Sequence, residues 1–99
     1  MNVAGFIASL DGAAPAPELS APLAGLWWAA KGDWDQAHRN VQDDNGRDAA
    51  WVHAYLHRVE GDLGNAGYWY RQAGRPAAKD TLDSEWERIA STLLGGKEP

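Results

Sequence analysis

The chain carries an internal duplication. Residues 26–37, Leu26-Trp-Trp-Ala-Ala-Lys-Gly-Asp-Trp-Asp-Gln-Ala37, align with residues 55–66, Tyr55-Leu-His-Arg-Val-Glu-Gly-Asp-Leu-Gly-Asn-Ala66, at an offset of 29 residues. In each copy a Gly-Asp pair separates two segments of helical periodicity. Glycine takes the left-handed conformation that stops a helix, and an aspartate directly after it accepts from the free amides that open the next one. The duplication predicts two copies of helix, Gly-Asp corner and helix, in an all-α fold.

The pattern around the copies supplies the other elements. Val3, Phe6, Ile7 and Leu10 recur at helical spacing before Asp11-Gly12, and Ala13–Pro17 reads as a linker because its prolines remove backbone donors. Ser20 is a good N-cap for a helix running to about Lys31, with Leu19, Leu23, Leu26, Trp27 and Ala30 as its apolar stripe. Trp34, Ala37, His38 and Val41 mark the second helix, and Trp51, Val52, Tyr55, Leu56 and Val59 the third, over about Arg47–Glu60. Leu63, Ala66, Gly67, Tyr70 and Ala73 line the fourth, which Gly74-Arg75-Pro76 stops. Gly67 costs helix stability, and close approach of a tryptophan ring is the expected compensation. Ser84-Glu-Trp-Glu87 reads as a capping box opening a last helix over 84–94. The domain plan is one unit over 1–99: an N-terminal helix and linker (1–19), two hairpins (20–74), a linker (75–83), a capping helix (84–94) and a tail (95–99).

Burial alone must stabilise so short a chain, and its six tryptophans supply the apolar area. With no cysteine, disulfides, thiolate metal sites and thiol catalysis are excluded. A net charge of -5 with scattered basic residues argues against a nucleic-acid partner. No apolar run approaches the ~20 residues of a membrane span, and Met1–Leu10 lacks the basic residue that opens a secretory signal. A soluble, cytoplasmic protein without a membrane partner is the expectation.

The two corners, the alanine four residues after each aspartate, and Trp69-Tyr70-Arg71-Gln72-Ala73 together resemble the tetratricopeptide class of helical-hairpin repeats over about residues 20–74. The offset of 29 is shorter than the ~34 residues of that unit, and two hairpins are fewer than the three of a stable solenoid. The stretch Trp51-Val-His-Ala-Tyr-Leu-His-Arg-Val-Glu-Gly-Asp62 is also similar to one in a group of small bacterial proteins; that resemblance implies no activity. The tetratricopeptide resemblance implies a module that binds a protein or peptide segment, with a second copy of the chain as a further partner.

Candidate chemistry concentrates on the third helix. At 100° per residue His53, His57 and Glu60 fall within about 60° of one another, on the side away from the apolar stripe. Two imidazoles and a carboxylate can hold a divalent metal such as zinc and support a metal-dependent hydrolase, although His-Glu-x-x-His is absent. The competing reading needs no cofactor: Trp28, His53, His57 and Glu60 line a binding groove for a peptide or a planar small molecule. His38 reads as a hydrogen-bonded histidine at the core edge, and Asp33 and Asp62 as caps. Asp43-Asp44-Asn45-Gly46 fails as a calcium loop, because Val41 and Val52 would occupy its first and last ligand positions. No nucleophile elbow, phosphate loop or dinucleotide fingerprint occurs.

Overall fold

Each corner of the chain is made by the chemistry that the duplication announces. In a computed structural model that describes residues 1–95, Gly32 and Gly61 have φ of 80° and 84°. The following amides donate back identically, Asp33 to the Trp28 carbonyl at 3.0 Å and Asp62 to that of His57 at 2.9 Å. The Asp33 carboxylate then accepts from the Gln36 amide and that of Asp62 from the Asn65 amide. The corners thus join α2 (Ala21–Ala30) to α3 (Trp34–Val41), and α4 (Arg47–Val59) to α5 (Leu63–Ala73). Before them come α1 (Val3–Ala8), which runs on into a 3-10 turn over Ser9–Asp11, and the Ser20 cap of α2. Gly74, at φ 70°, ends α5. The last helix, α6 (Leu82–Leu93), follows a linker. Among the described residues the protein is all-helical, and none of its helices is long and apolar enough to cross a membrane.

The helices pack most extensively as the hairpins α2–α3 and α4–α5, with α4 central. One side of α4 meets α2 and α6, while the other meets α3 and α5. Residues Ala49 to His57 are therefore buried without a break. Phe6 of α1 stacks on Trp86 of α6, whose indole donates to the Leu26 carbonyl at 2.9 Å, so the terminal helices close over α2 and α4.

Several local expectations are corrected by this packing. Thr81, not Ser84, caps α6: its hydroxyl accepts from the Ser84 amide at 3.0 Å. Glu85, one turn before Ile89 on the same face of α6, is buried in the core. No tryptophan covers Gly67; a Cβ there would meet only Arg71 Nη1, at 3.6 Å. The close approach is at Gly25, where a Cβ would lie 3.1 Å from Val41 Cγ1 and 3.2 Å from the Ala37 carbonyl oxygen. Ala30, Val59 and Leu63, expected on inner stripes, are exposed, Leu63 by 69%. All three adjoin Gly-Asp corners, where the helix ends project beyond their neighbours. Of the tail expected at 95–99, residues 96–99 lie outside the described residues.

Candidate functional site: a three-histidine centre

The side of α4 that the helical wheel presents as a polar face is not a groove. His53 and His57 are 5% and 7% exposed, covered by α3 and α5, because a helix at the centre of a bundle has no solvent side. Into this side α3 delivers His38. Its Nε2 lies 3.0 Å from His53 Nε2, and one ligand nitrogen from each of His38, His53 and His57 lies within 4.8 Å of the others. The ring centroids are separated by 4.6 Å (His38–His53), 4.9 Å (His53–His57) and 5.8 Å (His38–His57).

Aromatic rings hold the imidazoles in place. Trp34, one turn before His38, stacks on it at 4.8 Å and 10°, and its indole N–H is fixed to the Leu56 carbonyl at 2.7 Å. Trp69 of α5 stacks on His53 at 3.9 Å and 12°. Glu60, whose side chain is 40% exposed, pairs its Oε1 with His57 Nδ1 at 2.6 Å. That contact fixes the His57 ring beside the cluster. A carboxylate behind a ligating histidine performs this service in metal sites.

The cluster is not a closed hydrogen-bond network. His53 Nδ1 is buried and has no hydrogen-bond partner among the described residues, a deficit that costs about 1–3 kcal/mol in a protein interior. Burial lowers the pKa of His53 to about 4, reinforced by His38 and His57, and burial likewise lowers that of His38. Both imidazoles therefore stay neutral near pH 7, which is the form that ligates metals. Glu60 and Asp62 also place carboxylate oxygens near a His57 nitrogen. Both are exposed, and Asp62 is engaged in capping Asn65.

Of the residues singled out from the sequence, His53, His57 and Glu60 come together, while Trp28 does not join them. Its partly buried ring packs edge-on against Trp27, 5.0 Å away. His38 is hydrogen-bonded at the core edge, as its position predicts, but it also supplies the third imidazole. Glu60 stands behind His57 and leaves that role to it. The Trp34/His38 spacing of one turn was the available signal, since it puts both rings on one face of α3.

No known family model matches the chain, and no curated protein or solved structure shows significant similarity to it.

Proposed function

We propose that this protein is a metal-binding domain, with zinc as the fitting ion, held by His38, His53 and His57 and with Glu60 orienting His57. The convergence of three imidazoles from two helices, those of His38 and His53 neutral, carries the reading. A tetrahedral zinc with Zn–N bonds of about 2.0–2.1 Å places its donor atoms ~3.3 Å apart, close to the 3.0 Å between the His38 and His53 nitrogens. Three nitrogen donors without thiolate also suit zinc better than a soft monovalent ion.

Three protein ligands leave a fourth position for water or substrate, the arrangement of catalytic rather than structural zinc. His38, partly exposed, is the edge through which solvent reaches it. A zinc ion held by these residues would supply hydrolytic chemistry near neutral pH. The groove reading for peptides has less support, because two of its four residues are buried beneath α3 and α5.

The test is elemental analysis of the purified protein together with thermal melts after chelation and with added zinc. Stoichiometric zinc and a rise in melting temperature are expected for the wild type, with the rise abolished in His38→Ala. A wild-type melt indifferent to zinc, with no metal bound, overturns the reading.

A further inference from the structure

On the opposite side of α4 from the histidines, a cleft of about 390 Å³ opens between α1, the end of α2 and α6. That volume falls in the range of small-molecule sites, about 300–1,000 Å³. Its wall is apolar and unfinished: Leu10 is partly buried, and Ile7 keeps 40% of its surface exposed. Two aromatic side chains, Tyr55 and Trp86, form part of the lining. The Trp86 indole is held rigidly by its stack on Phe6, at 5.6 Å and 22°, and by its bond to the Leu26 carbonyl. The rim carries Asp83 and Glu87, one helical turn apart on α6, both exposed and without an ion-pair partner among the described residues.

Among the described residues no basic side chain lines the cleft. Of the nearby cations, Lys31 is held outside the lining by the Leu10 and Gly12 carbonyls, and Arg58 is paired with Glu85. Two rigid aromatic rings, each less than a tenth exposed, an apolar wall and two carboxylates without an ion-pair partner select for a cation that also carries apolar surface. The carboxylates supply a screened Coulomb attraction, and an aromatic ring adds attraction through its quadrupole where its face meets the cation. We propose that this cleft binds a small alkylated ammonium ion, the methyl groups against Trp86, Tyr55 and Ile7 and the charge facing Asp83 and Glu87. A bare ammonium, more strongly hydrated, makes poorer use of the apolar wall. The proposal is independent of the metal centre.

Choline is the probe, with 3,3-dimethylbutan-1-ol as its neutral isostere, each titrated against the full chain while the Trp86 indole and Tyr55 ring resonances are followed by NMR. Choline is expected to give saturable shifts confined to these rings and their neighbours, with the alcohol binding at least about tenfold more weakly. Asp83→Asn/Glu87→Gln should weaken choline binding by a similar factor with little change in melting temperature, and Glu87→Gln alone by an intermediate factor. Chelation should leave choline binding unchanged. The proposal is overturned by the absence of saturable shifts up to about 20 mM choline, beyond the millimolar affinity that one such cage supports, by equal binding of the alcohol, or by unaltered affinity in the double variant.

Discussion

Two glycines inside helices have opposite meanings in this fold. Gly25 lets α2 and α3 cross closely: its missing Cβ leaves room for the Val41 side chain and the Ala37 carbonyl, and the carbonyl, as backbone, cannot step aside. Gly25→Ala is expected to destabilise by about 1–3 kcal/mol through overpacking. Gly67 has only the mobile end of Arg71 nearby, so Gly67→Ala should stabilise by about 0.5–1 kcal/mol through helix propensity. Urea denaturation of the two variants checks the pair, and equal effects would contradict this account. His53 gives a residue-scale prediction of another kind. Its folded pKa lies near 4 and its unfolded value near 6.5, so between those limits the unfolded chain binds more protons and stability rises with pH. Chelated protein should therefore be most stable above about pH 6.5 and lose stability as the pH falls toward 4. Replacing His53 by Gln should flatten that slope, as measured by melts across the window.

At the scale of elements, what could be read from the sequence was what each helix needs locally. The Gly-Asp corners, the Ser20 cap and the Gly74 stop lie where short-range backbone chemistry demands them, and the helix bounds follow within a residue or two. The misreadings share a different cause. Periodicity says that a face is buried or polar but not what lies opposite, so a histidine side on α4 was legible as a face and not as the floor beneath α3 and α5. His38 escaped as a metal donor because its partners lie 15 and 19 positions away, in the other hairpin, and no local spacing encodes that approach. Ser84-Glu-Trp-Glu87 satisfies the capping pattern by residue type and so masks Thr81 in the sequence. The actual cap starts the helix earlier, and Glu85, one turn before Ile89, lies on its inward face. The Gly67 expectation failed for the same reason as the His38 one: which helix crosses at a small residue is a tertiary fact.

The whole molecule is tied together by that inward Glu85, the one fully buried acidic side chain among the described residues. It accepts from Arg58 of α4 at 2.9 Å, from the Tyr70 hydroxyl of α5 at 2.7 Å and from the Trp51 indole at 3.4 Å. Burial and the Glu85 hydrogen bond both raise the Tyr70 pKa, so its hydroxyl remains the donor. Arg58 also donates to the Asp80 carbonyl, which holds the linker before α6. A buried carboxylate of this kind contributes little net stability as a pair, since desolvation offsets much of the attraction, yet its removal leaves a largely buried guanidinium, 16% exposed, without its counter-charge. Glu85→Ala is therefore expected to cost about 3–5 kcal/mol, read as a fall in the denaturation midpoint. The exposed Arg88–Asp80 pair offers the contrast: although a salt bridge holds Asp80 near a pKa of 2, solvent screens it, and Asp80→Ala should change the midpoint little. The decisive comparison is Glu85→Ala against Glu85→Ala/Arg58→Met. If the damage comes from the unpaired guanidinium, the double variant recovers much of the lost stability; if it comes from lost packing between α4 and α6, the double variant is at least as unstable as the single one.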